Sequence, residues 1–302
     1  AVEIAAGSVT LTLTTNDPSG PCPPVNDQMT ITIRPAATAN AGPDVTVCAS
    51  SPQAQLLGWV GGAASGGTWS GGAGNFSPGT SSPSAIYTPS AAEIAAGSVT
   101  LTLITNDPEG PCPPVSDQVR ITIQPAATVN AGADQTVCAS SPQVQLAGSI
   151  GGGASSGTWS GGAGSFSPRA SMLNAIYNPT SAEIAAGGVV LTLTTNDPSG
   201  PCPPVSDQVA IRFDPITVVN AGPDQVVCAS SPQVQLGGSV SGTVTSGTWG
   251  GGAGTFAPGA SSLNATYTPT PAEIAAGTVT LVLTSAVPTG PCPSASDEMR
   301  IT

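Results

Sequence analysis

Cysteine and carboxylate are the side chains in this sequence best placed to do chemistry, and their partners for catalysis are missing. The 302 residues contain seven cysteines, no histidine and no lysine; five arginines are the only side-chain cations. Without histidine there is no Ser-His-Asp triad and no imidazole metal ligand. Without lysine there is no P-loop, although Gly71-Gly72-Ala73-Gly74 is rich in glycine, and no Lys–Asn isopeptide cross-link. No enzyme and no cofactor are expected. The cysteines form two series, Cys22, Cys112, Cys202, Cys292 and Cys48, Cys138, Cys228, each with a step of 90. Their regularity points to disulfides and an oxidising compartment, against the plainer reading of buried free thiols.

Among the carboxylates, Asn16-Asp17, Asn106-Asp107 and Asn196-Asp197 face Asp27, Asp117 and Asp207 across short loops. Oxygen ligands so arranged could share calcium, with Asp107, Asp117, Asp197 and Asp207 as candidates. The fourth copy has Ala286-Val287 instead, so such a site is no requirement of the repeat, and Asn-Asp-Pro is ordinary turn chemistry. The other recurrent acids, Glu93, Glu183 and Glu273, lie three residues after Ser90, Thr180 and Thr270. That spacing is a helix capping box, with Pro271 at a first helical position and Gly97, Gly187 and Gly277 as closing residues.

The whole sequence keeps the same step. Residues 1–35 match 91–125 at roughly four positions in five, as expected of a repeat array. With Pro35, Pro125 and Pro215 read as linkers, modules run over 36–125, 126–215 and 216–302, the last truncated in its final strand. Residues 1–35 are the closing part of a preceding module, expected to pack on material outside this chain, in cis or from a neighbouring subunit. The polypeptide is expected to continue in both directions. No run of apolar residues approaches a membrane span, so no membrane insertion is expected. A formal net charge of −12 leaves no basic patch for nucleic acid.

Val9, Leu11 and Leu13 alternate with threonines, and Met29, Ile31 and Ile33 repeat the pattern, as half-buried strands do. In the module 126–215, strands are expected at 128–138 (A), 143–149 (B), 157–160 (C), 165–168 (D), 174–178 (E), 188–196 (F) and 207–213 (G). Seven strands with a tryptophan on the third imply an all-β protein of tandem immunoglobulin-like sandwiches in an extended row. Trp69, Trp159, Trp249, Tyr87, Tyr177 and Tyr267 are expected core residues. Each sandwich would add about 35–40 Å of reach.

That topology bears on the cysteines. Pairing within a module gives Cys48–Cys112, Cys138–Cys202 and Cys228–Cys292. Yet strand A ends at the opposite pole from the loop before strand G, some 20 Å or more away, while a disulfide needs Cα atoms within about 7 Å. In a head-to-tail row the pole of one module meets the loop of the next, which gives Cys48–Cys202 and Cys138–Cys292 and leaves Cys22, Cys112 and Cys228 for modules beyond. Both pairings stand as sequence-level alternatives.

Asn-Ala-Gly-Pro-Asp at 40–44 and 220–224, with Val-Gln-Leu-Gly-Gly-Ser at 234–239, resembles the opening of polycystic-kidney-disease (PKD)-type Ig-like domains. The paired cysteines resemble the PKD-like repeats of very large secreted surface proteins of Bacteroidota, which include gliding-motility adhesins. The resemblance implies a cell-surface filament whose partners are adjacent modules or neighbouring copies. A carbohydrate- or surface-binding module is the alternative, with a surface glycan as partner. Its candidate is Trp59, where the other copies have Ser149 and Ser239. A spacer within an extracellular hydrolase is the third reading.

Overall fold

The computed structural model describes residues 2–16, 20–106, 112–196 and 200–302. The chain divides into two compact units, Ala1–Ala127 with Asp197–Pro203, and Thr128–Asn196 with Pro204–Thr302.

The first unit opens with α1 (Val2–Ala6) and a hairpin of β1 (Ser8–Thr14) and β2 (Asn26–Thr32). It continues with β3 (Thr38–Asn40), β4 (Val45–Cys48), β5 (Ala54–Gln55), β6 (Trp59–Gly61), β7 (Gly66–Ser70), β8 (Asn75–Ser77) and β9 (Ile86–Thr88). Helix α2 (Ala91–Ala96) leads into β10 (Ser98–Asn106) and β11 (Ser116–Gln124). One sheet has the order β4-β11-β10-β7; facing it are β5-β9-β8 and the pair β3-β6. This is an Ig-like sandwich. The alternation read from sequence does the packing: Leu101, Leu103, Val119, Ile121 and Ile123 point into the core, while the threonines between Val99 and Leu103 face outward. Trp69 and Tyr87 lie between the sheets, and the Trp69 indole N–H donates to Pro83 O at 3.1 Å.

The first strand of the sandwich is not continuous. β3 pairs antiparallel with β6 in one sheet, and β4 pairs parallel with β11 in the other. The crossing runs through Ala41-Gly42-Pro43-Asp44, with Gly42 at φ +83°. Carboxylates supply the acceptors that the interrupted ladder lacks: Asp117 Oδ2 accepts from Ala41 N and Asp44 Oδ1 from Arg120 N, both at 2.9 Å.

The second unit repeats the design twice. Strand Gln135–Cys138 pairs parallel with Ser206–Asp214, next to Gly188–Asn196 and Ser156–Ser160. The single strand expected over 128–138 is two strands, Ala127–Asn130 and Gln135–Cys138, in different sheets. The strand expected over 143–149 shortens to Val144–Gln145, and Ser149–Gly152 then joins Ala127–Asn130. The step between them is at Gly148, over which the Trp159 indole lies. A Cβ there would come within 2.8 Å of the indole and 2.7 Å of Leu193 Cδ2. Trp159, Tyr177, Trp249 and Tyr267 are all buried.

The hairpin β1–β2 keeps the register of β10–β11 but not its cover. Leu11, Leu13, Met29 and Ile31 are exposed, whereas their counterparts Leu101, Leu103, Val119 and Ile121 are buried.

Candidate functional site

Two features recur: a cysteine clasp and a carboxylate-centred knot. In the first unit β4 runs parallel to β11, bringing Cys48 level with Gln124 at the end of that strand, and Ala49 N donates to Gln124 O at 2.8 Å. The loop bearing Cys202 crosses the same place. Cys48 and Cys202 are joined, with Cα atoms 4.9 Å apart, and Cys202 Sγ lies 3.7 Å from Gln124 O and 3.5 Å from Pro125 O. Gly200 abuts the Gln124 side-chain amide, which would have to turn aside for a Cβ there.

The second unit holds the same clasp. Cys138 is level with Asp214, and Cys138 and Cys292 are joined, again with Cα atoms 4.9 Å apart. Cys292 Sγ lies 3.5 Å from Asp214 O and 3.4 Å from Pro215 O, and Gly290 abuts the Asp214 carboxylate. Arg212 Nε reaches Asp214 Oδ1 at 3.2 Å. All four bonded cysteines are buried.

The pairing within a module, Cys48–Cys112, Cys138–Cys202 and Cys228–Cys292, does not form. Cys48 sits at the Gln124 end of β11, while Cys112 precedes its other end, Ser116. A nine-residue strand separates them, roughly 27–30 Å. Cys22, Cys112 and Cys228 remain thiols. The Cys112 thiol lies 4.0 Å from Pro35 O, the place on the preceding linker that Cys202 and Cys292 occupy in their copies. The Cys228 thiol is exposed, and its pKa is lowered by the Ser230 hydroxyl and then by the Ser230 N–H.

The knot appears three times. In the first sandwich, Tyr87 Oη donates to Glu93 and accepts from Gly74 N at 2.9 Å. Glu93 also accepts from Ala73 N, from Ser90 N and from the Ser90 hydroxyl, each at 2.8 Å. The capping boxes at Ser90, Thr180 and Thr270 are complete, and Gly97, Gly187 and Gly277 close the helices at positive φ. One carboxylate thus ties a helix start, a buried phenol and the glycine turn. The turn must be glycine here, because a Cβ at Gly72 would collide with the Tyr87 hydroxyl. Burial, helped by the Glu93 carboxylate, pushes the Tyr87 phenol up to about 12; Tyr177 and Tyr267 are also raised to about 12. Burial alone would raise the Glu183 carboxyl, but donors led by Thr180 N and the Tyr177 hydroxyl prevail and hold it at about 2. The cap role of the glutamates is legible in the sequence. The tyrosine contact is not, although a tyrosine kept in all three copies where phenylalanine would fill the core hints at it.

Two of the four calcium candidates lie among the described residues. Asp117 and Asp207 accept from Ala41 N and Ala131 N, and the Asp117 carboxyl is lowered by the N–H groups of Ala41 and Gln118. Asp107 and Asp197 lie outside the described residues. Among the described residues no three acidic or thiol groups converge as a metal site. Trp59, on β6, is 53% exposed. No helix among the described residues is long and apolar enough to cross a membrane.

No family model matches this sequence, and no curated protein matches it. Among solved structures, titin domains I67–I69 (an E-to-A variant) align with a TM-score of 0.51 at 12% identity, over 90% of this chain and 99% of that one. Mouse cadherin-23 EC22–24 aligns at TM-score 0.41 and 13% identity, over 88% of this chain and 98% of that one. The protocadherin gammaB4 extracellular domain aligns at TM-score 0.37 and 13% identity; this chain is covered over 99% and spans 56% of that protein's length. The titin likeness shows the fold: the chain is a tandem array of Ig-like β-sandwiches.

Proposed function

We propose that this chain is a structural or adhesive stalk segment of a secreted surface protein, a passive spacer whose modules, 36–125, 126–215 and 216–302, are clasped by disulfides. The observation that carries the reading is the clasp itself, present twice at the same sequence separation of 154 and each time tying one repeat to the next. Two buried disulfides suit an extracellular compartment. The partners are neighbouring modules of the same repeat. The finer assignment, a filament of the Bacteroidota gliding-adhesin kind, is supported by the repeat motifs at 40–44 and 234–239. A spacer must hold its ends apart. Small-angle scattering of the oxidised chain is therefore expected to give an elongated particle, and a compact one contradicts the proposal.

The exposure of Trp59 favours a second reading, in which an aromatic face stacks on a surface glycan. Affinity electrophoresis in polysaccharide gels tests it: retardation abolished by Trp59→Ala supports binding, and equal mobility of both proteins removes this reading.

A further inference from the structure

The two disulfides are interleaved along the chain. Cys48, Cys138, Cys202 and Cys292 occur in that order, and the bonds join first to third and second to fourth. Each bond merges two chain positions into one node. Between the node Cys48/Cys202 and the node Cys138/Cys292, three stretches of polypeptide run in parallel: Cys48 to Cys138, Cys138 to Cys202, and Cys202 to Cys292. The outer two span about 90 residues each and the middle one about 64, so the middle one has the shortest reach. When the chain is drawn out, the middle stretch becomes taut first, running backwards in sequence, while the other two stay slack. Side-by-side cross-links give no such arrangement.

We propose that the interleaved disulfides are an extension stop: they cap how far the chain lengthens even when every sandwich has unfolded. With both bonds intact the load path is Ala1 to Cys48, Cys202 back to Cys138, then Cys292 to Thr302. It uses about 120 residues and reaches roughly 400–450 Å, whereas the uncrosslinked chain of about 300 residues reaches roughly 1,000–1,100 Å. The stop is also guarded. Cys48, Cys138, Cys202 and Cys292 are 2%, 5%, 8% and 4% exposed. A thiolate must reach one sulfur to exchange with the bond, so the folded loops shield it. The inference rests on which cysteines are joined and not on the stalk reading; a chain that shows the stop could still fail the scattering test above.

The test is single-molecule stretching between terminal handles, read as the fully extended contour. The oxidised chain is expected to stop at about 120 residues. Removing either bond with a serine pair, C48S/C202S or C138S/C292S, leaves a path of about 150 residues. Removing both releases about 300. Either single loss therefore adds only about one seventh of what the double loss adds, whereas with pairing within repeats either serine pair would add about two thirds of it. The contour is read on unfolded chains, so a variant that folds poorly still reports, provided tryptic mapping shows its remaining bond. Dithiothreitol, which is oxidised to its cyclic disulfide as it reduces each bond to two thiols, is expected to release the stop only after a first full extension. Gains of about 128 residues for either serine pair and about 192 for both together, as pairing within repeats would give, overturn the proposal. So does an oxidised chain that extends as far as the reduced one. Immediate release in dithiothreitol before any pull overturns the shielding.

Discussion

The Tyr177 hydroxyl, though surrounded by core, has a partner on each side: it donates to Glu183 Oε1 at 2.7 Å and accepts from Gly164 N at 2.9 Å. Tyr177→Phe keeps the ring, strands the Gly164 N–H and takes one of the donors of Glu183, whose Oε1 keeps Ala163 N. A cost of about 1–2 kcal/mol is expected, seen as a lower urea midpoint, and an unchanged midpoint contradicts the knot. The same glutamate gives the fold an acid limit. Its carboxyl titrates at about 2 in the folded chain against 4.5 ordinarily, so the folded state binds the proton less readily than the unfolded one. Its stabilising contribution is whole above about pH 4.5 and is lost as pH falls through about 2. Glu183→Gln is expected to flatten stability against pH across that window; a slope identical to the parent's would place the acid sensitivity elsewhere. The capping spacing was legible because helix starts are local chemistry. The phenol and the glycine turn come from further along the chain and meet the carboxylate only after the sheets close.

Strands 98–106 and 116–124 could be read from alternation because one face of each is wet. The crossing at Ala41–Asp44 could not, since both sheets bury the same alternating face and nothing local marks which partner a strand takes. Asp44 and Asp117 stitch that crossing through backbone N–H groups of distant residues, so as sequence they resemble turn acids or ligands. The break at Gly148 is equally tertiary. Gly148→Ala is expected to cost about 1–3 kcal/mol by overpacking against Trp159 and Leu193. Gly237→Ala, with nothing within 4 Å, is expected to change stability by no more than about 0.5 kcal/mol. Calorimetry of the pair separates them, and similar melting shifts would contradict the steric account. The hairpin β1–β2 makes a further case. Two strands with an open apolar face lack independent stability, so amides of 8–14 and 26–32 are expected to exchange far faster than those of 98–106 and 116–124. Equal protection in the isolated chain would mean that the hairpin needs no cover.

Across the chain, regularity is what the clasp depends on. A cysteine at the end of one strand meets a cysteine from a loop 154 residues later, and it does so twice because no copy has gained or lost a residue. The strand order was enough to separate the poles of a sandwich; the remaining contacts of the clasp, Gly200 on Gln124 and Gly290 on Asp214, needed coordinates. In the chain-entropy model a loop of this length stabilises by about 5 kcal/mol, so the clasps rank among the largest single contributions here. The arginines make the pairing easy to read. Trypsin cuts after Arg120, Arg169, Arg212 and Arg300, while Arg34 precedes a proline. Non-reducing tryptic mapping of the oxidised chain is expected to show peptide 1–120 joined to 170–212, and 121–169 joined to 213–300. Peptide 121–169 joined to 170–212, the signature of Cys138–Cys202, would contradict the clasp between repeats.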